Sequence, residues 1–287
     1  VGNRYETMAT VLSSVYMNIP VAHTMGGEIS GTIDESIRHA ITKFSHLHFA
    51  ATKKAAENIL KMGENKKNIF MVGCPRIDLI KQTISKKINK KVFENIIFSS
   101  GVGNRFDLIN DDFIVVMQHP VTTEYLDAGK QIQNTLIATS KIKMKKIFFW
   151  PNVDAGSESI SLTIRKWRED NLDNDFYFIK NLETQHFYNL LNLSKCLVGN
   201  SSAGIRDAGY LALPVVNIGT RQNGREHGIN VLHANNNYKD IYKKILISTK
   251  KKYKKNYIYG DGNTAQRIVK ILRNIKKIEI QKKLSYK

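Results

Sequence analysis

Short apolar runs alternate with longer amphipathic stretches along the chain, and this alternation constrains the fold more than any other feature. The runs are rich in Val, Ile and Phe and have the length of strands, whereas the stretches between them have helical spacing. Strands joined by helical crossovers form parallel sheets that helices cover on both faces, so the predicted fold class is α/β. We expect strands at 19–23, 47–50, 69–72, 113–117, 147–150, 176–179, 196–198 and 215–218, and helices at 5–17, 34–45, 53–62, 123–139, 157–168, 183–191, 202–211 and 263–275.

The alternation falls into two sets, which the polar stretch 81–91 separates. We therefore expect two Rossmann-like domains, the first within residues 1–84 and the second within residues 92–265. The first set has only three expected strands, fewer than a Rossmann-like domain usually has, and the chain begins abruptly at a strand-end motif. We expect the first domain to be incomplete on its N-terminal side.

The composition fits a folded protein of a reducing compartment. Hydrophobic residues make up 42% of the 287 residues, which is typical of globular chains rather than disordered ones. No apolar run approaches the roughly 18 residues of a membrane span, and no signal peptide is evident. Cys74 and Cys196 lie in separate apolar runs, which indicates buried free thiols and a cytoplasmic protein. No spacing of Cys and His predicts a metal site.

The formal net charge of +19 suggests a nucleic-acid partner, but its distribution argues against one. Residues 251–287 alone hold ten Lys and two Arg against two acidic residues, a net charge of +10. These cations occupy both faces of the expected helices, which favours a solvated, Lys-rich surface. Such a surface attracts anionic nucleotides, and we expect neither a nucleic acid nor a membrane as partner.

The segment 198–207 predicts an anion site. An apolar run ends at Gly199, small hydroxyl residues follow, and a helix-like segment then begins. Such a loop offers backbone N–H groups and the positive end of a helix dipole, to which Ser201 and Ser202 add hydroxyl donors. Diphosphate is the natural ligand of this arrangement. The alternative is an ordinary capped turn between a strand and a helix, where Ser is common.

Polar residues follow several expected strands at their carboxyl ends, where open α/β sheets bind ligands. In the second set these residues include His119, Asn152, Asn200 and Arg221. Their repetition favours one shared ligand cleft over ordinary turn chemistry, in which Asn, Gly and Pro are also frequent. His119 either donates to a phosphate or transfers a proton, and the alternative is a structural histidine.

Three further charged residues are candidates for binding a nucleotide. Asp207 lies one turn into the helix after the anion loop, where a carboxylate can accept both hydroxyls of a ribose. Arg221 and Arg225 lie in the loop after the next strand, and either can pair with a diphosphate or line the cleft.

The densest group of ionisable residues lies at 32–43, where Thr32 and Glu35 have capping-box spacing. On a helix Asp34 reaches Arg38, and Glu35 reaches the His four residues later. One interpretation is a pair of surface ion pairs. The other is a carboxylate at a helix N-terminus that acts as base or acid.

Together these motifs resemble the hydrolysing UDP-N-acetylglucosamine 2-epimerases of bacterial sialic-acid-type sugar synthesis and the epimerase half of the animal bifunctional enzyme. The resemblance covers most of the chain, and several motifs in the same order make it specific. The motifs are GNRYE at 2–6, GGEISGTIDESIRH at 26–39, QHPVTTE at 118–124, WPNVDAG at 150–156, GNSSAGIR at 199–206, GTRQ at 219–222 and YGDGN at 259–263.

The resemblance implies a GT-B architecture, with the active site in the cleft between two Rossmann-like halves and residues 266–287 packing back on the first. It implies elimination of UDP across C1–C2 to a 2-acetamidoglycal, after which water adds and N-acetylmannosamine or a related sugar is released. A base must remove the C2 proton while donors stabilise the departing diphosphate. The reaction requires no redox cofactor or metal, and relatives suggest a homo-oligomer.

The resemblance also assigns a role to each candidate residue by position. The catalytic candidates are the carboxylate of Asp34 and the imidazole of His119. The substrate-binding candidates are Arg4 near the reacting sugar, Asn152 and His119 at the sugar diphosphate, Ser201 and Ser202 at the diphosphate, Asp207 at the ribose, where the family usually has Glu, and Arg221 in the cleft.

Two departures from the family pattern bear on activity. Asn3 stands where the family usually has an acid/base Asp, and Met25 stands where it often has Glu. Met25 suggests a diacetamido-trideoxy sugar nucleotide as substrate, because a missing hydroxyl tolerates an apolar neighbour. The alternatives are a UDP-sugar-binding protein with impaired catalysis, a non-hydrolysing epimerase and a GT-B glycosyltransferase.

Overall fold

The computed structural model describes residues 5–30, 33–171, 175–283 and 285. The strands in this part of the chain are β1 (Ala22–Thr24), β2 (Leu47–Ala50), β3 (Ile69–Met71), β4 (Gly101–Gly103), β5 (Phe113–Met117), β6 (Lys145–Phe149), β7 (Phe176–Ile179), β8 (Cys196–Gly199), β9 (Val215–Ile218) and β10 (Val231–Ala234). The α-helices are α1 (Tyr5–Tyr16), α2 (Ile33–Phe44), α3 (Lys53–Lys61), α4 (Pro75–Ile84), α5 (Lys90–Ser99), α6 (Ala128–Ser140), α7 (Ser157–Asp170), α8 (Thr184–Leu193), α9 (Ser202–Arg206), α10 (Tyr238–Thr249) and α11 (Thr264–Asn274).

The chain divides into two compact units. The first consists of Val1–Lys81, Asn223–Glu226 and Tyr257–Lys287, and the second consists of Gln82–Gln222 and His227–Asn256. Each unit has its own sheet, so the fold class is α/β, as the alternating pattern predicts.

The first unit is built on a parallel sheet of the order β1-β2-β3. Leu47, Phe49 and Val72 form an apolar cluster on this sheet, and Ile268 and Ile271 of α11 pack against it. These two isoleucines lie three residues apart, and therefore on the same face of the helix. The carboxylate of Asp78 caps α11, because it accepts the N–H groups of Thr264 (2.9 Å) and Ala265 (2.7 Å).

The second unit is built on a seven-stranded sheet of the order β10-β9-β8-β5-β6-β7-β4. Its strands run parallel except β4, which pairs antiparallel with β7. The central strands are buried on both faces, which explains their continuous apolar runs. Helices α6, α7 and α10 contribute to the core on one face through Ile132, Leu136, Ile160, Ile164, Ile241 and Ile245.

Several elements were not predicted, namely β4, β10, α4, α5 and α10. Strand β4 is Gly-Val-Gly, a sequence of low strand propensity. A Cβ atom at Gly101 would lie 2.1 Å from the carbonyl oxygen of Phe178, so the close pairing of β4 with β7 requires glycine there. The polar stretch 81–91 contains the end of α4 and the start of α5 rather than only a linker.

Two expected helices have different bounds. The helix expected at 202–211 ends at Arg206, and residues 207–212 form turns that finish at Ala212, whose φ is +56°. The helix expected at 123–139 begins as the 3₁₀ segment Thr122–Asp127, in which Glu124 has a non-helical φ of −126°. Hydrophobic periodicity does not reveal where such turns interrupt a helix.

Candidate functional site

The sheet of the second unit has a topological switch point between β5 and β8. From β5 the chain adds β6 and β7 on one side, and it then returns to add β8, β9 and β10 on the other. Open α/β sheets bind ligands at the carboxyl ends of the strands that flank such a point. The predicted residues that follow these strands and their neighbours lie there, and we call them the switch-point site: His119, Asn152, Asn200, Ser201, Ser202 and Arg221.

His119 follows β5 and is almost completely buried, with 6% of its surface exposed. Its Nδ1 accepts a hydrogen bond from the backbone N–H of Asn152, at 3.1 Å. Since an N–H can only donate, Nδ1 carries no proton and the proton of the neutral ring resides on Nε2. His119 therefore presents an N–H donor, which suits a phosphate oxygen.

Burial, and to a smaller extent the Arg221 guanidinium, lower the pKa of His119 to about 3. The ring is therefore neutral at physiological pH, because both causes disfavour the imidazolium. A neutral imidazole with Nδ1 occupied is a hydrogen-bond donor and a poor proton shuttle. This geometry favours the phosphate-donor interpretation of His119 over proton transfer.

The loop after β8 contains the predicted anion-binding residues. Gly199 has a φ of +131°, and a Cβ atom there would lie 2.1 Å from the carbonyl oxygen of Met117. The backbone of β8 can approach β5 this closely only because this residue is glycine. The hydroxyl of Ser201 caps the short helix α9 by accepting the N–H of Ala203 at 3.3 Å, so its proton stays available to a ligand. Ser202 is the first residue of α9 and is partly exposed.

Asn200 connects the loops of the site. Its side chain accepts the backbone N–H of His119 at 2.7 Å and donates to the carbonyl oxygen of the same residue at 2.8 Å. Its own carbonyl oxygen accepts from the Gln222 side chain at 2.7 Å and from Nη1 of Arg221 at 3.2 Å. The residues that follow β5, β8 and β9 are thereby joined in one hydrogen-bonded group.

Asp207 occupies a different environment from the other candidates. It is the C-cap residue of α9, at the far end of the helix from Ser201, and its side chain is completely buried. Binding of a ribose by this carboxylate therefore requires the sugar to reach a buried position or the side chain to move. Its role stays a prediction.

The first unit contains Asp34, half-buried in the first turn of α2. Its neighbour Glu35 accepts the N–H of Ser30 at 2.6 Å and lies 3.4 Å from His39, as the four-residue spacing predicts. Arg38 is fully buried and donates from Nη1 to the carbonyl oxygen of Glu28 at 2.6 Å. Because Arg38 is buried, the interpretation of Asp34 and Arg38 as an ion pair on the surface does not hold for Arg38.

Three residues of the sequence argument, Asn3, Arg4 and Thr32, lie outside the described residues. The role of Arg4 near the reacting sugar and the capping box that begins at Thr32 stay predictions.

Met25 occupies an unusual backbone conformation in the loop between β1 and α2. Its φ is +63°, a left-handed value that a residue with a side chain rarely adopts and that is common at functional sites. The Sγ of Cys74 lies 3.6 Å from its Sδ, so sulfur lines this position. Gly27 follows with a φ of +75°, and a Cβ atom there would lie 2.2 Å from the carbonyl oxygen of Ala55.

Gln222 and Glu124 take part in the site, although no sequence pattern predicted a role for either side chain. The Glu124 carboxylate accepts from the Thr220 hydroxyl and, at 2.7 Å, from the Gln131 side chain. It thus links the loop after β5 to the loop after β9. The available signal was the presence of Glu124 and Gln222 in the QHPVTTE and GTRQ motifs.

Both cysteines are free and buried, as predicted. Burial raises the pKa of Cys196 to about 12. Among the described residues no helix combines the length and the apolar character that crossing a membrane requires.

Comparison with known proteins identifies the family. A family profile described as UDP-N-acetylglucosamine 2-epimerase matches residues 1–273. The chain belongs to this family. A UDP-N,N'-diacetylbacillosamine 2-epimerase (hydrolyzing) of Legionella pneumophila is 36% identical over 276 residues, which are 96% of this chain and 70% of that protein. The resemblance to the hydrolysing members that the motifs indicated is confirmed.

Two other members of the family match over most of this chain. A UDP-N-acetylglucosamine 2-epimerase of Neisseria meningitidis is 32% identical, with coverage of 84% of this chain and 60% of that protein. A GDP/UDP-N,N'-diacetylbacillosamine 2-epimerase (hydrolyzing) of Campylobacter jejuni is 30% identical, with coverage of 81% and 58%. The match spans roughly three fifths to seven tenths of the length of these three relatives.

Solved structures confirm the fold. The structure of UDP-GlcNAc 2-epimerase from Neisseria meningitidis bound to UDP-GlcNAc matches with a TM-score of 0.77 and 18% identity, over 96% of this chain and 75% of that chain. The enzyme of Methanocaldococcus jannaschii in complex with UDP-GlcNAc and UDP matches with a TM-score of 0.76 and 20% identity, over 95% and 74%. The chain thus has the α/β fold with two Rossmann-like units of the GT-B class.

Proposed function

We propose that this chain acts as a hydrolysing UDP-sugar 2-epimerase, which converts a UDP-2-acetamido sugar and water into UDP and the C2-epimeric free sugar. The observation that carries the proposal is the convergence of His119, Ser201, Ser202 and Arg221 at the switch point of a chain in this family. These residues offer neutral donors and one guanidinium, a set that suits a diphosphate better than a neutral ligand.

We assign the diphosphate to the switch-point site. The Nε2–H of His119, the hydroxyls of Ser201 and Ser202, and the guanidinium of Arg221 donate to its oxygens, and Asn152 lies beside the sugar end. Arg221 keeps its charge at any physiological pH and binds phosphate in a planar fork. Such fixed donors stabilise the negative charge that develops on UDP as the C1–O bond breaks.

The chemistry is an elimination followed by an addition. A base removes the C2 proton, the C2–H electron pair becomes the C1=C2 double bond, and the C1–O bond breaks so that UDP departs with its electrons. Water then adds its oxygen to C1 and a proton returns to the opposite face of C2. We propose Asp34 as the acid or base, since a half-buried carboxylate can exchange a proton; Arg4 is the second sugar-proximal candidate.

The substrate class we propose is a UDP-diacetamido-trideoxy sugar, with UDP-N-acetylglucosamine as the alternative. Met25 and Cys74 place sulfur at a loop position where relatives often have Glu. A thioether donates no hydrogen bond and accepts only weakly, so it suits a sugar that lacks a hydroxyl at this point. The Legionella and Campylobacter relatives, whose names specify diacetylbacillosamine, support this choice.

The test is incubation of the chain with each sugar nucleotide, followed by ³¹P NMR for UDP and ¹H NMR for the sugar. Release of UDP and a free epimerised sugar is expected, with faster turnover of UDP-N,N'-diacetylbacillosamine. Equal or faster turnover of UDP-N-acetylglucosamine overturns the substrate assignment. An epimer that remains attached to UDP identifies a non-hydrolysing enzyme. A requirement for an acceptor sugar identifies a glycosyltransferase.

A second candidate is a UDP-sugar-binding protein without turnover. Asn3 favours it, because an amide cannot exchange the proton that the Asp of relatives is proposed to exchange. UDP titration measured by NMR, together with turnover assays of the unmodified chain and of Asn3→Asp, separates the two. UDP-dependent shifts without turnover in either protein support the binding protein, and turnover by the unmodified chain excludes it.

We also carry forward two predictions from the sequence, a homo-oligomeric state and a cytoplasmic location. Light scattering of the purified chain tests the first prediction, and fractionation of the source cells tests the second.

A further inference from the structure

Asn200 is almost completely buried, with 2% of its surface exposed, and its backbone and side-chain polar groups all form hydrogen bonds. Its backbone N–H donates to the carbonyl oxygen of Met117 at 3.1 Å, and its carbonyl oxygen accepts from Arg221 and Gln222. Its side chain makes two hydrogen bonds to the backbone of a single residue, His119, which is 81 positions away in sequence. A buried residue with this many hydrogen-bond partners is held in one position.

The side chain of Asn200 continues the pairing between the two chains beyond the end of the backbone ladder of β5 and β8. The pairing of β5 with β8 ends at Met117 and Gly199, and Asn200 is the next residue of its strand. At a switch point the two chains then diverge, because their crossovers leave in opposite directions. The amide of Asn200 pairs with the N–H and C=O of His119 as a neighbouring strand would. It thereby holds the two chains together up to His119, two residues beyond the end of β5, and up to Asn200, one residue beyond the end of β8.

We propose that Asn200 is a positioning residue for anion binding, which holds His119 and Arg221 as one donor unit across the switch point. The identity of the anion, a UDP diphosphate, rests on the proposed function. Asn200 itself acts through its two neighbours. Its side chain fixes the main chain from which the His119 ring projects, and its carbonyl oxygen restrains the guanidinium of Arg221.

Only an asparagine satisfies both sides of this arrangement. The amide has an NH₂ donor group at one end and an acceptor oxygen at the other, which match the C=O and N–H of His119. In Asn200→Asp the second carboxylate oxygen would face the His119 carbonyl oxygen, and its charge would repel a diphosphate. In Asn200→Ala the buried N–H and C=O of His119 lose their partners.

The chain offers a matched control in Asn230. It is a buried asparagine of the same unit, 1% exposed, which donates from its side chain to the carbonyl oxygen of Leu213 at 2.9 Å and accepts from Asn256 at 3.1 Å. Its contacts involve none of the residues of the switch-point site. A merely structural role for Asn200 predicts that both alanine variants behave alike.

The first experiment compares UDP binding by the full chain, Asn200→Ala, Asn200→Asp and Asn230→Ala, using calorimetry alongside the thermal midpoint. We expect Asn200→Ala to weaken UDP binding about tenfold to a hundredfold, the equivalent of one or two hydrogen bonds. Asn200→Asp is expected to lose more affinity than Asn200→Ala, and Asn230→Ala to stay within about twofold of the unmodified chain. UDP affinities that fall equally in Asn200→Ala and Asn230→Ala overturn the proposal.

The second experiment needs no ligand, so it separates this proposal from the proposed function. In ¹⁵N-histidine NMR spectra, the His119 signal, assigned by its loss in His119→Gln, should report a bare Nδ1 and a protonated Nε2. In Asn200→Ala and Asn200→Asp this signal should shift toward exchange between tautomers, whereas in Asn230→Ala it should not. An unchanged His119 signal in both Asn200 variants overturns the proposal, even if the unmodified chain does not bind UDP. If Asn200→Ala does not fold, the near-isosteric Asn200→Asp decides both measurements.

Discussion

Glu64 in the first unit and His119 in the second are both buried ionisable residues, yet their surroundings differ. Glu64 is 3% exposed and contacts three nitrogen donors, Nζ of Lys43 at 2.7 Å, Nζ of Lys282 at 2.7 Å and Nε2 of His48 at 3.1 Å. Burial alone would raise the pKa of Glu64, but the hydrogen bonds from His48, Lys282 and Lys43 outweigh it and lower the pKa to about 2. Its charge is therefore balanced within the protein.

The charges around His119 are not balanced in this way. Its ring accepts from a backbone N–H, and the charge that acts on its pKa is the cation of Arg221, which adds to the effect of burial. Around Glu64 the charges of both signs are present, so the cluster needs nothing from outside. Around His119 the surroundings disfavour further positive charge, and the donors suit an external anion. The comparison thus separates a structural cluster from a binding site by charge balance rather than by burial.

The largest expected effect is that of Glu64→Gln on the stability of the first unit. The change removes a buried carboxylate that pairs with two half-buried cations, Lys43 and Lys282, so we expect a loss of about 2–4 kcal/mol. Chemical denaturation measures it. The control is Glu57→Gln, whose partner Lys53 is 85% exposed and 4.0 Å away, and it should change stability by less than about 0.5 kcal/mol. Equal losses in both variants would show that the charge balance of Glu64 is unimportant.

The same comparison predicts a pH dependence. The folded pKa of Glu64 is lowered from the model-peptide value of 4.5 to about 2, so its stabilisation is fully present above pH 4.5 and is lost as the pH falls toward 2. The stability difference between the unmodified chain and Glu64→Gln should therefore shrink between about pH 5 and pH 2. A difference that stays constant over this range contradicts the assignment of an ionised Glu64.

The second-largest expected effect is that of Gly199→Ala on the stability of the second unit. The new Cβ atom would lie 2.1 Å from the carbonyl oxygen of Met117, at a φ of +131°. We expect a loss of about 2–3 kcal/mol and weaker UDP binding, because β8 must move away from β5. Gly129→Ala in α6 of the same unit is the control, since its Cβ atom would meet the hydroxyl oxygen of the partly exposed Ser159 at 2.6 Å, and this short side chain can rotate. Denaturation and UDP titration of both variants check the prediction.

The sequence predicts the members of the second unit's site better than their connections. His119, Asn152, Ser201 and Arg221 were identified because each follows an apolar run, and parallel strands bring their carboxyl ends to one edge. The order of the strands, and hence the switch point, depends on pairing between distant segments, which no local pattern records. The bridge from Asn200 to His119 spans 81 positions and could not be inferred.

The Glu64 cluster was missed for the same physical reason. Its residues come from α2, β2, the turn after α3 and the segment after α11, and none of them forms a recognisable motif. Strand β4 was missed because its two glycines are needed for close approach to β7, whereas strand propensity argues against them. Local patterns thus predicted the elements that bury apolar faces, and they did not predict features set by long-range contact.

His119→Gln is expected to have a smaller effect, and one that is visible mainly in acid. Because the folded pKa of His119 is about 3 and the model-peptide value is 6.5, the unfolded chain binds the proton first. Stability is therefore lost as the pH falls from 6.5 toward 3, by up to about 1.4 kcal/mol per pH unit. Between pH 7 and pH 5 the unmodified chain should lose about 1–2 kcal/mol more than His119→Gln. An identical loss in both proteins would mean that His119 is not held neutral by its surroundings.

Arg221→Lys should have the smallest effect on stability and test the charge balance most finely. The substitution keeps the positive charge but replaces the planar fork of donors, one of which reaches the Asn200 carbonyl oxygen at 3.2 Å. We expect UDP binding to weaken about threefold to tenfold, with stability changed by less than about 0.5 kcal/mol. Arg165→Lys, an exposed position on α7 of the same unit, is the control and should leave UDP affinity unchanged. If Arg221→Lys binds UDP as tightly as the unmodified chain, charge alone suffices at this position, and the hydrogen bond to Asn200 contributes nothing to anion binding.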